Sequence, residues 1–195
     1  MSVDSSDMKL FDAPLWRIHR VTGAHASRWD ELREWGPIPQ MRWDPQVPPP
    51  GLHPGVGVLY AAESVRTAVV EVFQSRRVIT LSSQQELVGW RPTRVLRLLD
   101  LSGDWGLRNG ASASLYAAVR PTCRAWARAI HAEHPDVDGL YAPSTMSGGP
   151  MTVLFSSAAD AFPTYPAFAQ VLSDAGARAI VLTAARELRW RVRAG

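Results

Sequence analysis

Residues 15–20, Leu-Trp-Arg-Ile-His-Arg, alternate apolar and polar side chains and predict a half-buried strand whose polar face carries Arg17 and His19. Residues 25–35 could turn once or twice as a short helix before Gly36-Pro37-Ile38-Pro39 stops it. A proline- and glycine-rich stretch follows at 46–57, which predicts a semi-rigid excursion and no regular structure. Residues 57–61 read as a short buried strand. Ser64 is placed to cap a helix over 65–74, on which Val65, Ala68, Val69, Val72 and Phe73 fall on one face. At about 100° per residue, Glu71 projects near the edge of that stripe beside Ser64 and Thr67, while Glu63 points away as an ordinary solvated acid.

Further along, 78–81 and 95–101 predict two strands, and 112–119 and 121–131 a helical pair with Pro121 suited to a first turn. Residues 139–142 read as extended, lead into the loop 143–150, and return as a strand over 151–155. A helix at 167–175 and strands at 179–182 and 188–192 complete the pattern. Short strands and helices without regular alternation predict an α+β fold in one domain, with residues 1–13 as a flexible polar end and 14–195 as the folded unit.

Composition narrows the picture. The 195 residues are 46% hydrophobic and 20% charged, enough for one globular core and incompatible with a fibrous or disordered chain. A net charge of +3 hides a lopsided cation set of twenty arginines and one lysine, Lys9, and planar guanidinium forks suit phosphates and carboxylates. One cysteine, Cys123, forbids an internal disulfide and points to a reducing compartment, so a cytoplasmic location is expected. No leader is expected at the start, and no window approaches the roughly 18 apolar residues of a membrane span.

Most local motifs have ordinary explanations. Gly55-Val56-Gly57 and Gly148-Gly149 lack the dinucleotide fingerprint, and the first precedes a strand where that fingerprint would follow one. His131 and His134, with Glu133 between them, have a spacing that sometimes binds zinc, but no further ligand is apparent and they suit a helix terminus, so no metal site is expected. Cys123 reads as a small packing residue. Arg186, Arg189, Arg191 and Arg193 alternate with apolar residues as on an edge strand with a charged outer face, so direct nucleic-acid binding is not expected.

A set of residues far apart in the chain forms a more specific pattern. Arg42-Trp43-Asp44, Leu59-Tyr60, Glu71 eleven residues after Tyr60, and Tyr141-Ala142-Pro143-Ser144 occur in order, accompanied by Leu15-Trp16-Arg17, Asp138-Gly139-Leu140-Tyr141 and Val153-Leu154-Phe155. Taken together they resemble the RES-domain family, named for its arginine, glutamate and serine. Three departures stand out: Gln40-Met41 where the family usually has two glycines, Asp44 where it has asparagine, and Thr145 where a basic residue commonly follows the serine. The loop between Arg42 and Tyr60 is also longer than usual.

The resemblance implies an ADP-ribosyltransferase-like fold acting on NAD as a substrate, with no metal, as the toxin of a toxin–antitoxin pair whose partner is a helix-turn-helix protein. In that reading Arg42, Tyr60, Glu71 and Ser144 form the catalytic set. Glu71 would stabilise an oxocarbenium-like ribose, Arg17 and Arg42 the pyrophosphate, and Tyr60 and Trp43 would offer ring faces for stacking. Ser144 would hydrogen-bond the ligand or orient Glu71. Each residue also has a plain structural alternative: a surface ion pair for Arg42, core for Tyr60, a helix-edge acid for Glu71, a turn for Ser144. Protein ADP-ribosylation and a catalytically silent binding module are the rival functions.

Overall fold

The computed structural model describes residues 1–195. Its main sheet has eight strands. Three come from the first part of the chain: β1 (Met8–Phe11), β2 (Leu15–Arg20), and, after a separate pairing of β3 (Trp35–Gly36) with β4 (Gly51–Leu52) that stays outside the main sheet, β5 (Val58–Ala62). Helix α1 (Val65–Phe73) leads to β6 (Val78–Leu81), β7 (Gln85–Trp90) and β8 (Leu96–Asp100). The short α2 (Trp105–Arg108) and the long α3 (Arg120–Glu133) precede β9 (Gly139–Pro143) and β10 (Pro150–Phe155). Then come β11 (Phe168–Val171), α4 (Ala175–Leu188) and β12 (Arg191–Ala194). The strand order β1-β8-β9-β10-β5-β2-β7-β11 gives the expected α+β fold. No helix is long and apolar enough to cross a membrane.

One face of the sheet carries α3, through Cys123, Ala127 and Ile130 packed on Leu99, Leu140 and Val153, and beside it α1 and α4 on Ile18 and Leu87. The other face is sealed by loop residues, with Trp29, Trp90 and Phe162 in mutual contact at 5.6–5.8 Å between ring centroids. Cys123 is fully buried, as expected of a packing residue.

Several expected elements differ. The first residues are not frayed: β1 pairs along its length with β8, the Trp105 indole N–H donates to the Ser2 carbonyl at 3.0 Å, and the terminal amine pairs with Glu133. The acids there close a capping box between Asp4 and Asp7 and bind Arg108. Residues 25–35 form turns and no helix, because the backbone of residue 33 is committed to Val58 in both directions (2.9 and 3.1 Å). Of residues 112–119 only Leu115–Ala117 forms a single 3-10 turn. Toward the C-terminus the expected order of helix and strand is reversed. Ala177, Val181, Ala184 and Ala185 are buried at helical spacing in α4, and the short segment 168–171 pairs with β7. Of the charged strand face expected over 186–193, only Arg191 and Arg193 stand exposed on β12, which pairs with β6, while Arg186 lies in α4 and Arg189 caps its end.

The main omission is β7, which lies between β2 and β11. At its Gly89 a Cβ would sit 2.7 Å from the Trp16 ring on the paired strand, so the close approach of that ring requires glycine there.

The motif Asp138-Gly139 has a structural explanation. The buried Asp138 carboxylate accepts two bonds from the Arg94 guanidinium (2.8 Å each) and the Arg97 N–H (2.8 Å). Opposite it, a Cβ on Gly139 would lie 2.1 Å from the Val153 carbonyl. Arg94→Ala is therefore expected to cost about 3 kcal/mol by stranding a buried charge, and Gly139→Ala to prevent the β9–β10 ladder from closing. Urea unfolding of both variants checks these outcomes.

Candidate active site

The cleft forms where β2 leaves β5. The two strands share one pair, Trp16 with Ala62, and their ladder ends there. A cavity of about 750 Å³ opens beyond it, walled by residues 16–20 and 58–62 of the parting strands, by Glu71 and Val72 of α1, and by parts of the 25–41 segment. Alternation along β2 puts Arg17 and His19 on one side and Trp16 and Ile18 on the other, and all four line the cavity.

Glu71 reaches the cavity because α1 is fixed at its start. The Ser64 side chain accepts the Thr67 N–H at 3.1 Å, and one helical turn later Glu71 faces the cleft. The Ser144 hydroxyl, 2% exposed, donates to Glu71 Oε1 while accepting the N–H groups of Met146 (3.1 Å) and Ser147 (3.0 Å). One buried oxygen thus both shapes the 144–149 loop and orients the carboxylate. The loop is fastened to α1 a second time, since the Ser147 hydroxyl donates to Thr67 Oγ1 at 3.3 Å. Gln74 Nε2 donates to the Glu71 carbonyl at 3.0 Å and approaches Oε2 at 3.4 Å.

On the β2 wall, the Arg17 guanidinium donates to the Trp29 carbonyl (2.9 Å) and the Ser27 hydroxyl (3.4 Å), and no carboxylate pairs with it. Burial lowers its pKa to about 10, with Glu31 opposing and Arg33 adding to the shift, so it stays charged at neutral pH. His19 beside it has both ring nitrogens against oxygen acceptors, the Ser27 carbonyl and Glu86, each at 3.1 Å.

A RES domain model matches residues 14–177. The chain belongs to the RES-domain family. A solved chain of the M. tuberculosis MbcT–MbcA toxin–antitoxin complex superposes with a TM-score of 0.58 at 19% identity, covering 89% of this chain and 91% of that one, a likeness of fold. No curated protein sequence matches the chain.

The RES pattern is only partly assembled into one site. Glu71, Ser144, Arg17 and Tyr60 surround or support the cleft. Arg42 does not face it: its guanidinium binds the Ala118 carbonyl and lies 3.7 Å from Cys123 Sγ, tying the proline-rich loop to the start of α3. Trp43 is 2% exposed in the core, so it offers no face to a ligand. Tyr60 lines the wall, but its hydroxyl is engaged, donating to Asp44 Oδ1 and accepting the Trp43 N–H, both at 2.9 Å. Burial, followed by the Asp44 carboxylate, pushes that hydroxyl well above the ordinary phenol range.

Four cleft residues escaped the sequence reading as site candidates. His19 stands two positions after Arg17 and shares its face. Trp16 and Trp35 supply the aromatic surfaces that Trp43 does not, and Trp35 is 56% exposed at the mouth. Arg33 carried no local signal. Glu63 was expected to be solvated, yet its Oε1 is shielded without a partner, and burial together with this carboxylate raises Tyr141 to about 12.

Tyr60→Phe should leave the Trp43 N–H without its acceptor and Asp44 without one donor. The expected cost is about 1–3 kcal/mol, read as a lower urea midpoint with an unchanged slope.

Proposed function

We propose that this RES-domain protein cleaves NAD at the nicotinamide–ribose bond and acts as the toxin of a toxin–antitoxin pair. The supporting observation is that Glu71, oriented by Ser144, and an Arg17 guanidinium that has no ionic partner line the same cavity. The cavity volume lies within the range of about 300–1,000 Å³ typical of small-molecule sites.

The chemistry follows from the charges. As the bond from the anomeric carbon to the ring nitrogen breaks, its electron pair goes to nicotinamide, which leaves neutral and needs no strong acid. Positive charge develops on the ribose, and a carboxylate fixed beside it stabilises that charge without reorganising. The hydroxyl of Ser144 holds Oε1, so Oε2, whose one contact is the long 3.4 Å approach of Gln74, is the oxygen left to meet the sugar. Arg17 suits the diphosphate by paired N–H donation, and Trp16 suits a planar ring. Water or phosphate then takes the ADP-ribose. Transfer to a protein is the less favoured outcome: position 69, where some ADP-ribosyltransferases carry a second acid, is the fully buried Val69. The partner expected to neutralise the protein is a helix-turn-helix antitoxin.

Purified protein should consume NAD and release nicotinamide, and phosphate in the buffer should decide whether the other product is phosphorylated. Glu71→Gln should lower the rate at least about 100-fold with its melting temperature preserved; equal turnover would remove Glu71 from the mechanism. With labelled NAD in a lysate, label should stay in small molecules, and label on a protein band would favour ADP-ribosylation.

A further inference from the structure

The charge on Asp44 has a consequence for the cleft. The carboxylate is fully buried and cannot donate, unlike the asparagine usual at this place, so every contact must come from a donor. Three are present: the Tyr60 hydroxyl on Oδ1, the Ile38 N–H on Oδ2 at 2.7 Å, and Arg33 Nη2 on Oδ1 at 2.7 Å. Arg33 is its sole ionic partner. Burying a carboxylate is tolerable only with such a cation.

That requirement brings a second guanidinium to the cavity. Arg33 lines it together with Arg17, and its side chain remains 25% exposed. One N–H of Nη1 is used on the Trp35 carbonyl and one of Nη2 on Asp44. A guanidinium has five N–H groups, so three remain. The two arginines are close enough for Arg33 to depress the Arg17 pKa. The acids that also line the cavity, Glu31 and Glu71, form no ion pair with either arginine. Arg42 spends its guanidinium on Ala118 and Cys123 instead.

We infer that Arg17 and Arg33 together form the anion clamp of the cleft, with Asp44 fixing the direction of Arg33, and that this clamp takes a diphosphate. Naming the diphosphate as that of a dinucleotide rests on the NAD reading above; the clamp itself does not.

The test separates binding from support. Inorganic pyrophosphate and ADP-ribose are titrated calorimetrically into the wild type, Arg33→Gln, the double variant Arg33→Gln/Asp44→Asn, Arg33→Lys and Arg42→Gln. The double variant removes the cation and the charge it neutralises together, so it should melt near the wild type, yet it should bind pyrophosphate about 10-fold or more weakly. Arg33→Lys keeps the countercharge without the fork and should also bind weakly, which covers the case in which the double variant fails to fold. Arg42→Gln should bind as the wild type. Unaltered pyrophosphate binding in the double variant and in Arg33→Lys would reduce Arg33 to a counter-ion and overturn the proposal. Loss of binding in Arg42→Gln, or no binding by the wild type at millimolar pyrophosphate, would overturn it too. NAD turnover is measured separately, so an inactive protein that still binds pyrophosphate through Arg33 would sink the enzymatic reading and leave the clamp standing.

Discussion

A sheet that opens in its middle must dispose of the backbone groups it unpairs, and this constraint organises the molecule. Beyond the Trp16–Ala62 pair, β5 loses β2 as a neighbour, and N–H and carbonyl groups left bare in a partly buried wall would be costly. Residue 33 takes the place of β2, exchanging both backbone hydrogen bonds with Val58, and the Ser156 hydroxyl accepts the adjacent Gly57 N–H at 2.7 Å. The cleft is therefore a strand pairing handed from β2 to a loop. Because the loop is tethered there, its side chains become part of the cavity wall, and the proline-rich excursion that follows is bound to a rigid sheet at a defined point.

The same tether explains how a long irregular loop can be well packed. Gln46 is fully buried and donates to the carbonyls of Arg33 (3.1 Å) and Val56 (2.7 Å), while Asp44 gathers Ile38, Arg33 and Tyr60. Loop backbone that no ladder satisfies is satisfied by two buried side chains. Gly36 completes the fit, since a Cβ there would lie 2.4 Å from Gln46 Oε1. The short β3–β4 pairing is a by-product of this closure and needs no apolar pattern of its own.

What the sequence discloses follows from the range of each interaction. The strands at 15–20, 58–62 and 150–155 and helix α1 are legible because local alternation, or one-face spacing with a Ser64 cap, coincides with burial. Glu71 and Ser144, 73 positions apart, were linked by order and residue type, and they meet as a hydrogen-bonded pair. The failures involve signals that tertiary contacts override. Ala179-Ile180-Val181-Leu182 is apolar enough for a strand, yet Ala177, Val181 and Ala184 mark a helical stripe once the longer window is used. Residues 85–90 drew no expectation at all, and their Gly89 lies under the Trp16 ring of the paired strand.

Side-chain direction is the property that sequence order conveys least. Arg42, Trp43 and Asp44 are consecutive, and the chain turns so sharply there that they serve three places: the start of α3, the core, and the hub beneath the cleft wall. A motif that keeps its order therefore fixes where the backbone passes without fixing which of its side chains meets the cavity. Replacing a neutral amide by a carboxylate in the middle of that motif changes the electrostatics more than the shape. The buried charge requires a cation within hydrogen-bond reach, and the nearest backbone able to carry one is the segment that already substitutes for β2 against Val58. The charge at position 44 and the guanidinium at position 33 are thus one structural feature, produced by the burial that lets the cleft exist.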